Sequence, residues 1–170
     1  MNKNDQVTIR EQKVSDAPRF FKILSNPNFI HFSVKPKSVE DEIKFLEQNI
    51  QKKANNQEYN FTILFNNILV GGIGLMIDQK RSYIAEVGYF IDENYWGKSI
   101  AASALTLLQQ FAFDKLLLKR IELKMVTLNR SSEKVAVKCG YQKEGIAKQM
   151  LLINDQYYDC YLYATINKNI

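Results

Sequence analysis

The sequence predicts an α+β fold: a mixed, mostly antiparallel, twisted sheet of six to seven strands flanked by four helices. Three observations lead there. The middle of the chain is a series of β-rich runs joined by tight turns. The second half switches between strand-like and helix-like periods. No repeat, low-complexity tract or linker interrupts the 170 residues, which hold only three prolines and seven glycines. A single domain over residues 1–170 is therefore expected, an ordinary length for one.

The elements follow in order. Val7 to Arg10 reads as a short strand. A helix comes next, capped by Ser15, with Pro18 in its first turn and Phe20, Phe21 and Leu24 facing inward. Asn26-Pro27-Asn28 stops it. Ser38-Val39-Glu40-Asp41 resembles a capping box and opens a second helix carrying Ile43, Phe45, Leu46 and Ile50, which ends in the polar run Gln51 to Glu58. Tyr59 to Phe65 and Ile68 to Met76 are separated by Asn66-Asn67, which tolerate left-handed backbone, so they form a hairpin. A turn near Asp78 to Ser82 leads to the strand Tyr83 to Ile91. From Ile100 the apolar residues Ala101, Ala104, Leu105, Leu108, Phe111 and Ala112 take helical spacing, with Gln109 and Gln110 outside. Arg120 to Thr127 alternates Ile121, Leu123 and Met125 against Glu122, Lys124 and Val126, a strand pattern. A short helix from Ser131 to Lys138 is closed by Gly140. Strands Lys148 to Ile153 and Tyr157 to Ile166, turned by Asn154-Asp155, complete the order β-α-α-β-β-β-α-β-α-β-β.

Composition removes whole chemistries. With one histidine and two cysteines, zinc sites of several His and Cys ligands are excluded and no metal is expected. Any Ser-His or Cys-His pair has to use His31. His31 sits among Phe29, Ile30 and Phe32 and is either a packing or surface residue or a substrate contact. Cys139 and Cys160 lie in apolar or aromatic stretches and are expected as reduced, buried thiols. The longest apolar run, Ile68 to Ile77, stops at Asp78, short of the roughly 18 residues a membrane span needs. The amino terminus MNKNDQ lacks the apolar segment of a signal peptide, so a cytoplasmic protein without membrane contact is expected. The net charge of +5 suits an anionic ligand. Its basic residues are dispersed, which argues against nucleic acid as the main partner.

The chemistry concentrates between Glu86 and Ala102, EVGYFIDENYWGKSIAA. A strand ends, a turn of small residues follows and a helix begins. Backbone N–H groups at such a helix start can hold a phosphate or pyrophosphate, and Gly97, Ser99, Ala101 and Ala102 allow close approach. The alternative is an ordinary strand-to-helix loop.

Six motifs stand in a fixed order: Gly88-Tyr89-Phe90-Ile91; Tyr95-Trp96-Gly97-Lys98-Ser99-Ile100-Ala101; Arg120-Ile121-Glu122; Asn129-x-x-Ser132; Lys138-x-Gly140-Tyr141-x-x-Glu144-Gly145; and Asp159-x-x-x-Tyr163. Together they resemble the GNAT superfamily of N-acetyltransferases, in particular its RimJ/RimL-type branch of ribosomal-protein N-terminal acetyltransferases. The resemblance implies a GNAT-like acyl-CoA N-acyltransferase fold and an enzyme, a monomer or homodimer, that uses acetyl-CoA. That enzyme would acetylate a primary amine, a protein N-terminal α-amine or a small-molecule amine, by direct attack in a ternary complex. It implies that Tyr89, Phe90 and Ile91 meet the pantetheine arm. Trp96, Gly97, Lys98, Ser99, Ile100, Ala101 and Ala102 would surround the pyrophosphate, and Asn129 would hydrogen-bond the cofactor. Ser132 would contact the cofactor and protonate the leaving thiolate, or simply belong to a helix cap.

The sequence also departs from that pattern. Ser99 stands where relatives usually carry glycine, Ala136 where many carry a tyrosine acid, and Leu151 and Lys124 where some carry acidic residues. Glu86 is the base candidate, acting through water; the alternative is a sheet-edge carboxylate. The acceptor is expected between the Asn26 to Lys37 loop with its following helix and the aromatic tail at Tyr157, Tyr158 and Tyr161, although such aromatics also serve as sheet packing. Two rival functions are a noncatalytic acyl-CoA-binding regulatory module and a basic ribosome- or RNA-associated protein.

Overall fold

The computed structural model describes residues 6–31 and 35–170. Its order is β1 (Val7–Glu11), α1 (Ala17–Leu24), α2 (Val39–Glu47), α3 (Asn49–Ala54), β2 (Glu58–Phe65), β3 (Ile68–Ile77), β4 (Ile84–Ile91), α4 (Ile100–Asp114), β5 (Arg120–Val126), α5 (Arg130–Lys138), β6 (Gln142–Ile153) and β7 (Gln156–Ile166). The part of the expected acceptor loop at Phe32 to Val34 and the first five residues lie outside the described residues.

Local chemistry sets most of these boundaries. Asn66 and Asn67 both take positive φ, 50° and 64°, which reverses the chain so that β2 pairs antiparallel with β3. Asn154 and Asp155 do the same between β6 and β7. The Ser38 side chain accepts from the Asp41 N–H at 3.2 Å and starts α2. Gly140, at φ 82°, ends α5.

All seven strands join one sheet in the order β1-β2-β3-β4-β5-β7-β6. Every pairing is antiparallel except β4 with β5. Neighbouring residues of a strand face opposite sides of the sheet, and the packing follows. Val70 and Ile91 join Ile100, Leu105 and Leu108 of α4 in the main core. Leu69 and Phe90 pack on the other side against Ala17, Phe20 and Leu46 of α1 and α2. Leu105 and Leu108 are almost wholly buried, and burying each contributes roughly 2 kcal/mol.

Several expectations need correction. Ser15 caps nothing; α1 begins after a 3-10 turn, Val14–Asp16, and its N-cap residue is Asp16. The expected second helix divides at Gln48 into α2 and α3, which turns Ile50 outward, 83% exposed. Phe21 is half-buried, and Ile23 takes the inner position. Gln109 is half-buried with an Oε1 that finds no hydrogen-bond donor. Val126, placed on the polar side of β5, is buried with Ile153 and Cys160 in a small separate cluster. β6 starts at Gln142 rather than Lys148.

Asp16 anchors β1 to the sheet. Its carboxylate accepts from Arg10 at 2.7 and 2.8 Å, from the Thr62 hydroxyl at 2.6 Å and from the Lys13 N–H at 3.0 Å. Burial pushes its pKa up, but these donors outweigh burial and hold it below the ordinary value. A depressed native pKa gives stability that is complete above the unfolded value of about 3.9 and lost as pH falls through the native one. Asp16→Ala should cost about 2–3 kcal/mol at pH 7, because Arg10, still partly solvated, loses its partner. Urea denaturation of both proteins at pH 7 and pH 3 should show the difference shrinking in acid.

Candidate active site

The parallel ladder between β4 and β5 covers only Ile84↔Arg120, Ala85↔Ile121 and Glu86↔Glu122. Beyond Glu86, β4 stays with β3 as far as Ile91, while β5 stays with β7 as far as Val126. A wedge therefore opens within the sheet, and two cavities adjoin it.

The larger cavity, about 680 Å³, is lined by Tyr89, Phe90 and Ile91 at the end of β4, by Tyr95 to Ala102, and by Leu128 to Ser132 with Lys134, Val135 and Lys138. Asn28 to His31 close another side. Every residue to which the resemblance gives a cofactor role thus lines this one cavity. The loop between β4 and α4 owes its shape to two left-handed residues, Gly97 at φ 75° and Ser99 at φ 59°. For serine that conformation costs on the order of 1 kcal/mol. The Ser99 hydroxyl does not cap α4; it accepts from Lys138 Nζ at 2.8 Å. The first-turn N–H groups of α4 consequently have no side-chain cap, and that turn carries no acidic residue. Trp96 donates through Nε1 to the Ile91 carbonyl at 2.7 Å, tying the loop back to β4.

Asn129 caps α5: its Oδ1 accepts from the Ser132 N–H at 3.0 Å. This leaves its amide nitrogen outside the cap. The Ser132 hydroxyl is 2.8 Å from the Tyr89 hydroxyl. Burial, partly offset by that hydrogen bond, pushes the Tyr89 phenol up to about 12, so Tyr89 keeps its proton at neutral pH.

The smaller cavity, about 300 Å³, is lined by Glu86, Val87, Gly88 and Tyr89, by Leu123 to Val126, and by Met150, Leu151 and Cys160. His31, Asn129 and Ser132 complete it. Glu86 is present, but its carboxylate accepts from Lys124 at 2.6 Å. Lys124 also reaches Glu122 at 3.4 Å. Burial lowers the pKa of Lys124, but its two carboxylate neighbours raise it more, so it remains cationic. The Glu86 carboxylate is thus held in an ion pair within the smaller cavity. Tyr157, Tyr158 and Tyr161 do not line either cavity. Tyr161 instead stacks with the Lys143 ammonium, 3.2 Å from its ring centre. The apolar wall comes from Met150, Leu151 and Cys160.

Sequence reasoning missed the Tyr89–Ser132 contact, the Glu86–Lys124 pair and the place of His31 beside both cavities. Cys160 is buried, Cys139 is half-buried, and both are free thiols. No helix among the described residues is long and apolar enough to cross a membrane.

A family model described as the acetyltransferase (GNAT) domain matches residues 6–142. The chain is 32% identical over 133 residues to the Bacillus subtilis protein named probable N-acetyltransferase YjcK, covering 76% of this chain and 74% of that protein. It is also 32% identical over 129 residues to the ribosomal-protein-serine acetyltransferase of Escherichia coli, covering 76% and 72%. Among solved structures, the ribosomal-protein-S5-alanine acetyltransferase from Vibrio fischeri superposes with a TM-score of 0.87 at 24% identity, covering 96% of this chain and 94% of that one. A RimL ribosomal L7/L12 α-N-protein acetyltransferase in complex with coenzyme A gives 0.84 at 24% identity, covering 94% and 93%.

Proposed function

From the chain's membership of the acetyltransferase (GNAT) family, whose model spans residues 6–142, we propose that this N-acetyltransferase moves an acetyl group from acetyl-CoA to a protein N-terminal α-amine. The observation that carries the reading is the meeting of two cavities at His31, Tyr89, Asn129 and Ser132, one suited to a polyanionic cofactor and the other to an amine on an apolar group.

The larger cavity fits acetyl-CoA. The uncapped, carboxylate-free start of α4 offers N–H groups to a pyrophosphate, with Lys98, Lys134 and Lys138 on the same walls. Tyr89, Phe90 and Ile91 flank the arm, and the Asn129 amide nitrogen, outside the helix cap, donates to the cofactor. When bound, acetyl-CoA supplies the acetyl group as a thioester, whose thiol of pKa roughly 8.5 leaves readily.

The chain's own residues position and move protons. Tyr89 fixes the Ser132 hydroxyl, which holds a proton at Oγ for the departing sulfur. This takes over the part of the tyrosine that Ala136 replaces. Glu86 and Lys124 orient the acceptor. An α-amine, pKa near 7.8, is roughly 10% neutral at pH 7, whereas a lysine amine near 10.4 is well under about 0.1%. Most of the rate then comes from holding the two substrates together, and the α-amine is favoured without a strong base. The relative named ribosomal-protein-serine acetyltransferase supports a protein acceptor.

Titration calorimetry with acetyl-CoA, then thiol release with an N-terminal-serine peptide and with spermidine, tests the proposal. Saturable binding and release with the peptide are expected. No binding overturns it, and so does binding without release for either amine. Ser99→Gly is a second check. It removes the left-handed strain while adding a comparable unfolded-state entropy, so stability should change by less than about 1 kcal/mol. Freeing Lys138 should tighten acetyl-CoA binding several-fold in the same calorimeter.

A further inference from the structure

The reaction needs a group that takes a proton from the acceptor's ammonium, and the carboxylate expected for this is engaged by Lys124. Four residues line both cavities: His31, Tyr89, Asn129 and Ser132. Three of them cannot accept a proton near neutral pH. The Tyr89 phenol stays protonated, and neither a serine hydroxyl nor an asparagine amide titrates in that range. The other titratable groups around the junction are an ion pair, a thiol, a phenol and basic side chains. From β4 and β5 come Glu86 and Lys124, joined to each other at 2.6 Å. From β7 comes Cys160, a thiol that burial pushes up. The larger cavity adds the phenol of Tyr95 and the cations Lys98, Arg130, Lys134 and Lys138. Among the described residues facing the junction, the imidazole is the proton acceptor that is not already held in an ion pair. Burial also lowers the pKa of His31 below its usual value, which keeps it neutral and receptive at pH 7.

We propose that His31, on the segment after α1 and at the meeting point of the two cavities, is the general base that deprotonates the acceptor amine. This assignment rests on the acetyl-transfer reading above. The ammonium N–H bond breaks and its proton passes to an imidazole nitrogen. The amine lone pair freed in this way forms the C–N bond to the acetyl carbon. As the tetrahedral adduct collapses the nitrogen gives its second proton to solvent and the C–S electron pair goes to sulfur, which takes its proton from Ser132 Oγ; the imidazolium then releases its proton to solvent and Ser132 regains one from it.

His31 is the sole histidine of the chain, so the imidazole signals of a labelled sample report on it alone. The experiment has two parts, both with an N-terminal-serine peptide. The pH titration of the His31 resonance, with coenzyme A and the peptide bound, gives its midpoint. The pH profile of kcat at saturating peptide gives the midpoint of the activity. The expected result is an acidic limb that coincides with the imidazole midpoint. His31→Gln should remove that limb and lower kcat by roughly 100-fold or more, with the acetyl-CoA Kd and the Tm unchanged; His31→Asn should behave alike. An active wild-type protein whose kcat limb differs from the imidazole midpoint overturns the assignment alone, as does a His31→Gln variant within twofold of wild type. A wild-type protein that acetylates neither the peptide nor spermidine overturns the acetyl-transfer reading and this assignment with it.

Discussion

Ala101→Phe should weaken acetyl-CoA binding by roughly 100-fold, about 2.7 kcal/mol, with the Tm held within a few degrees. Ala101 lies in the first turn of α4 and lines the larger cavity. On the proposed reading its small side chain leaves room for a diphosphate beside the N–H groups that Ser99 leaves uncapped. A phenyl ring occupies that space and covers those donors. Asn129→Ala provides an independent probe from the other wall. It deletes the side-chain amide and with it the cap on α5, so a loss of about 1 kcal/mol in stability should accompany a smaller, roughly tenfold loss of affinity. Calorimetry with both variants reads these effects. Unchanged affinity in both would place the cofactor elsewhere.

Gly71→Ala should cost about 3 kcal/mol or more and lower the Tm by roughly 6–12 °C. A Cβ built at Gly71 lies 2.1 Å from the Phe90 carbonyl oxygen and 3.1 Å from the Ile91 Cα. Both are backbone atoms of the paired strand, so no side-chain rotation relieves the clash. The strands have to separate, and the strand that moves is the one carrying Tyr89, Phe90 and Ile91 along the larger cavity. Acetyl-CoA affinity should fall together with stability. Gly88→Ala is the contrast, because a Cβ there meets nothing within 4 Å. It should leave the Tm nearly unchanged and act only on the smaller cavity, which Gly88 lines. Calorimetric melting of the two variants separates a glycine required by close backbone approach from one that is not.

The parts of this molecule that were legible in the sequence are those with local causes. Asn66-Asn67 and Asn154-Asp155 turn the chain where their tolerance of left-handed backbone indicates. The 3.6-residue spacing from Ile100 gives α4, and the strand-turn-helix segment brings Tyr89 to Ile91 and Tyr95 to Ala102 to the larger cavity because it is continuous. β6 was read six residues short, since irregular pairing between Lys143 and Gly145 and between Ala147 and Leu151 breaks the alternation that marks a strand. The site's pairings were not legible for a different reason. Tyr89 meets Ser132 across 43 positions and Lys124 meets Glu86 across 38. Such contacts leave no periodic trace in either segment; they exist because β4 and β5 run side by side for three residues and then part. From the sequence, His31 is a packing or surface residue or a substrate contact, and nothing there chooses between them. Its neighbours in sequence are apolar, and only the folded chain brings it beside Tyr89, Asn129 and Ser132. Ser99 stands between the two cases: the resemblance marked it as unusual, and its φ of 59° gives the physical reason that glycine suits the position.

Mass spectrometry of a peptide with an N-terminal serine and one internal lysine, after incubation with the protein and acetyl-CoA, tests acetyl transfer at the wedge most directly. The expected product carries one acetyl group on the α-amine and none on the lysine. Saturable acetyl-CoA binding with the peptide left unmodified would contradict the assignment of this site to α-amine acetylation.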